Sequence, residues 1–176
     1  IGSRIIVSEM RGIDPNLYPS VSKIKDYIKQ GSLNLQGNEV ILGEELALGL
    51  DLRIGDKIGL ISPATLGKTD FVVKGIFKSG MYRYDSSLFL ANIKAAQDFF
   101  KMPDSVSGIA VKVDNIYNVD LIREDIYQKL KNNSLYEIRT WQDIDKNFLN
   151  ALKLEKTVMF IVVTMTTVVA AFGIAS

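Results

Sequence analysis

The chain has 176 residues, and its 21 Lys and Arg almost balance its 20 Asp and Glu, for a net charge of +1. That balance favours neither nucleic acid nor an acidic membrane surface as a partner. There is no Cys and no His, which removes thiol catalysis, His-based triads and most transition-metal sites.

The chain starts at Ile1 rather than Met, and a segment of a larger protein is expected. Ser3–Met10 is rich in β-branched residues and predicts a strand, with a turn at Gly12-Ile13-Asp14-Pro15. Val21, Ile24, Tyr27 and Ile28 recur at helical spacing, so Ser20–Gln30 predicts a helix stopped by Gly31. Glu39–Leu42 predicts a short strand and Gly43–Leu50 a short helix. Asp56–Ser62 and Phe71–Phe77 predict an antiparallel hairpin across the loop Pro63–Asp70.

Ser79–Asp85 breaks the pattern and reads as a loop, Ser87–Ala91 as a strand, and Ile93–Met102 as a helix closed by Pro103. Ser107–Val113 alternates, with Ile109, Val111 and Val113 on one face. Tyr117–Lys131 is amphipathic through Val119, Ile122, Ile126 and Leu130. With a strand at Tyr136–Thr140, residues 107–140 predict a strand–helix–strand unit holding two parallel strands.

From Gln142 to the end a single helix is expected, ~50 Å long at 1.5 Å per residue. Its first half carries Ile144, Phe148 and Leu152 on one face and is expected to pack on the domain, with Trp141 as a packing anchor. Its second half, Thr157–Ala175, contains no charge and is long enough as a helix to cross ~30 Å of hydrocarbon. Its position at the C-terminal end excludes a secretory signal. Everything before Thr157 then reads as a water-soluble part standing on a membrane helix.

No group of residues assembles a nucleophile, a base and an orienter, so no catalytic or cofactor site is expected and the chain is not expected to be an enzyme. Ser62–Thr69 approaches a P-loop, but Ser62 stands where Gly is needed and a strand follows instead of a helix, so a hairpin tip is expected. Asp143 and Asp145 could seed a hard-cation site. With no further ligands adjacent, acids favoured by the start of a helix explain them better, and no metal is expected. Tyr82, Arg83, Tyr84 and Asp85 group two phenols, a guanidinium and a carboxylate, a set suited to a partner or interlobe contact.

Several stretches taken in order resemble one family. They are Arg11-Gly-Ile-Asp-Pro15, Val40-Ile-Leu-Gly-Glu-Glu-Leu-Ala47, Gly55-Asp56-Lys57, Val73–Tyr82 with Tyr84-Asp85, Ala96-Gln97, Ser105–Asp114, Thr140-Trp141, Ala151–Met159 and Val169–Ser176. Together they are similar to the LolC/LolE transmembrane permease subunits of lipoprotein-releasing ABC transporters, within the wider MacB/FtsX-like permease class. The resemblance implies an α+β fold: a two-lobed MacB-like periplasmic domain followed by a long helix entering the bacterial inner membrane. It places a mixed α/β lobe at 1–35 and 87–156, an inserted mainly-β lobe at 36–86, and the start of a transmembrane helix at 157–176.

The resemblance also implies an ATPase subunit (LolD-like), a second LolC/LolE-like membrane subunit, lipoprotein cargo and handover to the periplasmic chaperone LolA. Pro63, Leu66, Gly67 and Lys68 would form the chaperone-facing loop, and Met159 and Phe160 would line a lipid cavity. LolC-type subunits carry a longer hairpin, a hook, where this chain has only Pro63–Asp70. That departure leaves a minimal hook, a LolE-like role or a combined subunit. Two other functions fit a domain on a membrane helix: MacB/FtsX-like mechanotransmission to another periplasmic partner, and the extracytoplasmic sensor domain of a receptor.

Overall fold

The computed structural model describes residues 6–130, 136–144 and 146–175. The chain forms two compact units, Ile1–Lys112 and Val113–Ser176.

The first unit is built on one mixed sheet. Its strands are β1 (Glu9–Ile13), β2 (Ile28–Gly31), β3 (Glu39–Gly43), β4 (Lys57–Ile61), β5 (Lys68–Phe77) and β6 (Leu88–Asn92). The order is β1-β6-β3-β5-β2, with β4 also on β5. β3 lies in the middle, parallel to β5 and antiparallel to β6, and Val40, Ile41 and Leu42 are wholly buried. A strand covered on both faces needs apolar side chains at successive positions, which the run Val-Ile-Leu supplies. The ten-residue β5 pairs with β4 through its first half and with β2 through its second.

Alternation divides the core between the two faces of the sheet. Val40, Leu42, Phe71, Val73 and Phe89 pack with α3 (Glu44–Leu50) and α5 (Ile93–Phe100), and Phe71 meets Phe99 edge-on at 5.7 Å. Ile13, Ile41, Phe77, Leu88 and Leu90 pack on the other face with Ile24, Leu33 and Leu35. At Gly12 any Cβ would lie 2.6 Å from the Ala96 methyl, so glycine permits the close seating of α5 on β1.

The second unit contains a 3₁₀ turn (Ile116–Asn118), α6 (Val119–Lys129), α7 (Trp141–Ile144) and α8 (Lys146–Ala175). The hairpin, the central strands, α3, α5 and the long apolar helix agree with the sequence reading, and the fold is α+β.

Other elements differ. The helix expected over Ser20–Gln30 is two single turns, α1 (Tyr18–Val21) and α2 (Ile24–Tyr27), followed by β2. Ser22 and Ile28 take extended backbone, and Ile28 pairs with Phe77, so sheet pairing overrides helical periodicity. The first strand runs on through Ile13, and the turn begins at Asp14, whose carboxylate accepts from Asn16 N. The predicted loop at Tyr82–Asp85 is instead helical, in α4 (Tyr82–Ser87).

Residues 107–113 and 136–140 are not strands, so only the helix of the expected strand–helix–strand unit is present. Alternation supplies a face but no hydrogen-bonding neighbour, and these stretches have none in a sheet among the described residues. The lobe boundaries drawn at 36 and 86 pass through a single sheet, since β3, β4 and β5 share it with β1, β2 and β6.

Candidate functional site

Two features of this fold could act on something outside it: the apolar helix α8 and the tip of the β4–β5 hairpin. Each lies in its own unit.

α8 has 30 residues, ~45 Å of helix. It is the one helix among the described residues long and apolar enough to cross a membrane, with a mean hydropathy of 1.7 over an 18-residue stretch within Lys146–Gly173. Its threonines do not bring unmet donors into that segment. Thr157, Thr164 and Thr167 donate to the carbonyls of Lys153, Phe160 and Val163 at 2.9, 2.8 and 2.8 Å, and Thr166 donates to Val162. Back-bonding of this kind makes a hydroxyl tolerable in hydrocarbon. Met159 and Phe160 are both exposed on the helix. Ile144, Phe148, Leu152 and Trp141 are not covered by other described residues of their own unit.

The hairpin loop is shorter than expected, because β5 already begins at Lys68. Ser62 N donates to Gly67 O at 3.0 Å, Leu66 N to Ser62 O at 2.8 Å, and Gly67 N to Thr65 Oγ1 at 3.2 Å. This turn holds Leu66 at φ 55°, in the left-handed region that costs a non-glycine residue ~1–2 kcal/mol. Leu66 is 81% exposed, so the strained residue carries an apolar side chain into solvent. Pro63, Gly67 and Lys68 are exposed beside it, and Lys68 lies 3.6 Å from Asp70. Ser62 is buried, and its Oγ has no hydrogen-bond partner among the described residues; the sequence carried no signal of this, since Ser62 reads as an ordinary turn residue. No helix follows Thr69, so the loop has no phosphate-binding geometry.

The Tyr82–Asp85 group separates. Asp85 is 3% exposed and accepts from Ser79 N at 2.7 Å, Ser79 Oγ at 2.8 Å and Gly80 N at 3.0 Å. It braces the turn between β5 and α4. Tyr84 packs against the core, while Tyr82 and Arg83 face solvent. Only those two remain available to a partner.

Asp143 closes a capping box. Its carboxylate accepts from Thr140 N and Thr140 Oγ1, both at 2.8 Å, and Asp143 N donates back to Thr140 Oγ1 at 3.3 Å. The Thr140 N–H and hydroxyl, with Arg123 and Lys146 nearby, hold this carboxyl below its ordinary pKa. Asp145 lies outside the described residues. Among the described residues no group of three or more His, Cys, Asp or Glu could hold a metal ion.

Fold and helix together define a class: an α+β domain continuous in sequence with a membrane-length helix, carrying no assembled catalytic group among the described residues. No family model matches the chain. It is 31% identical to the lipoprotein-releasing system transmembrane protein LolC of Xylella fastidiosa, over 99% of this chain and 44% of that protein. It is 27% identical to LolC of Neisseria meningitidis serogroup B, over 96% of this chain and 43% of the relative. LolE of Haemophilus influenzae is 26% identical over 99% of this chain and 44% of its own length. The chain therefore belongs to the LolC/LolE family, and it spans less than half the length of these relatives.

Proposed function

We propose that the chain is part of a membrane subunit of an ABC transporter that releases lipoproteins from the bacterial inner membrane. The observation that carries this is similarity to LolC and LolE over nearly every residue, continuing into a helix of membrane length that carries no charge from Thr157 onward.

In this reading residues 1–156 stand in the periplasm and α8 enters the inner membrane. Energy comes from a separate LolD-like ATPase, and a second LolC/LolE-like subunit completes the cavity. An acyl chain costs ~0.8 kcal/mol per CH₂ to expose, so release needs both an energy source and a shielded handover. Met159 and Phe160, at the outer end of the charge-free run, line the lipid path. The hairpin tip faces the receiving chaperone, LolA-like, through Leu66, with Pro63, Gly67 and Lys68 around it. A partner of that kind would gain from covering a leucine already held out of the fold. Tyr82 and Arg83 form a second contact with a partner.

Depletion of the full-length protein in its host tests this. Membranes are fractionated while one outer-membrane lipoprotein is followed. The reading expects mature, fully lipidated lipoprotein to accumulate in the inner membrane. Unchanged sorting, with no second copy of the system present, would refute it.

A further inference from the structure

The ion pairs of the second unit are of two kinds. Asp125–Lys129, at 2.7 Å, closes within one turn of α6, and Glu137–Arg139 joins residues two apart. Arg123 does something else, because its two terminal nitrogens serve two elements. Nη2 lies 3.2 Å from Asp120 Oδ1, one turn back on α6, and Nη1 lies 3.6 Å from Asp143 Oδ2, on α7.

The oxygen that Arg123 reaches is the one that caps α7. Asp143 Oδ2 already accepts from Thr140 N and Thr140 Oγ1. Lys146, the first residue of α8, adds a second cation near the same carboxylate. In the chain only Asp145 stands between α7 and α8. One carboxylate thus meets a cation from α6, the cap of α7 and a cation from α8. A planar guanidinium fork can serve two carboxylates at once, which a lysine ammonium on the same stem does less well.

We propose that Arg123 clamps α6 to the foot of α8, so that the membrane-length helix and α6 move as one piece. Arg123 is a positioning residue: it acts through Asp143, whose cap fixes where the helical segment begins. The clamp holds whatever the protein transports. Its side chains are 40% and 44% exposed. Pairs of that exposure shift an equilibrium by up to about fivefold, and salt weakens them.

Distances between spin labels at Leu121→Cys on α6 and Asn150→Cys on α8 test it. They are measured on the full-length protein in detergent, with any cysteine outside residues 1–176 replaced. With Arg123 in place the clamped distance dominates over longer ones. Arg123→Gln lowers the ratio of clamped to longer distances by about two- to fivefold, and Arg123→Glu, which repels Asp143, lowers it further. Salt at about 1 M brings the protein with Arg123 close to Arg123→Gln. Asp143→Asn keeps a capping oxygen without the charge and has the same effect as Arg123→Gln, and combining the two lowers the ratio no further. An unchanged ratio in Arg123→Gln overturns the proposal, and so do additive losses in the combined variant. Asp120→Asn removes the pair inside α6 and leaves Asp143 in place, so the ratio should hold. A loss there equal to that of Arg123→Gln overturns the clamp, since α6 itself would then be what gives way.

Discussion

Replacing Asp85 by alanine tests the reading that this carboxylate braces a turn rather than binds a ligand. The side chain is almost fully buried and accepts three hydrogen bonds, two from backbone N–H groups and one from a hydroxyl. Bonds to a charged acceptor contribute ~1.5–3 kcal/mol each, and a buried donor left unpaired costs ~1–3 kcal/mol. Gly80 is exposed and Ser79 partly so, which lets water replace part of the loss. The net cost of Asp85→Ala is therefore ~2–4 kcal/mol, well below the gross sum. At ~3 °C per kcal/mol for a chain of this size, Tm falls by ~6–12 °C. Asp85→Asn keeps an acceptor for one N–H but turns an NH₂ toward another donor, and costs ~1–3 kcal/mol. Thermal unfolding of the detergent-solubilised protein, followed by circular dichroism, reads both. A loss under 0.5 kcal/mol for Asp85→Ala would refute the bracing role and return Asp85 to the group of candidate contact residues.

Four further outcomes are expected. Val163→Arg puts a charge near the middle of the apolar run at ~2.5–3.5 kcal/mol, and the fraction of α8 resisting alkaline extraction from membranes should fall. Leu66→Glu leaves Tm within ~2 °C, because the side chain is exposed, yet reduces transfer of lipoprotein to the chaperone in a release assay. Gly43→Ala would put a Cβ 2.2 Å from the Asp85 carbonyl oxygen, and unfolding should show a loss of ~2 kcal/mol or more. Asp143 titrates below its ordinary pKa because Thr140 donates to the charged form. Its contribution is therefore present above the unfolded value near pH 4 and is lost only as pH falls through the lower folded value. Asp143→Asn should flatten that acid limb in a pH series of thermal unfolding.

Much of the sheet was legible because its central strands carry their own burial signal. Val40-Ile41-Leu42 and Phe71–Phe77 are apolar enough to read as strands without knowing their partners. β2 was not legible, because Ile28–Gly31 becomes a strand only by pairing with Phe77 and Gly75, and its residues also fit a helical period. Residues 107–113 show the converse: a good alternating pattern without a strand, because a pattern creates no neighbour. α4 was missed since Tyr-Arg-Tyr-Asp-Ser-Ser has no apolar stripe, and the turn preceding it is braced by Asp85 folding back on Ser79 and Gly80.

The membrane helix was the most legible feature, because absence of charge over such a length is visible in one dimension. Leu66 was named from its place in the loop, but its left-handed backbone and outward side chain depend on the closed turn of Ser62 and Gly67. The roles of Asp85 and Asp143 depend on which N–H groups the fold brings to them. The sequence already placed Asp143 at the start of a helix, and geometry adds the capping box; it offered Asp85 for a partner or interlobe contact, and geometry makes it a turn brace.

Reconstitution tests the central claim most directly. The full-length protein, with the proposed LolD-like ATPase and second LolC/LolE-like subunit, is placed in liposomes carrying a triacylated lipoprotein and supplied with ATP and a soluble lipoprotein chaperone. The account predicts ATP-dependent appearance of lipoprotein in the soluble fraction, bound to the chaperone and reduced by Leu66→Glu. Lipoprotein that stays in the liposomes while ATP is hydrolysed at a normal rate would contradict it and leave the domain transmitting force to some other periplasmic partner.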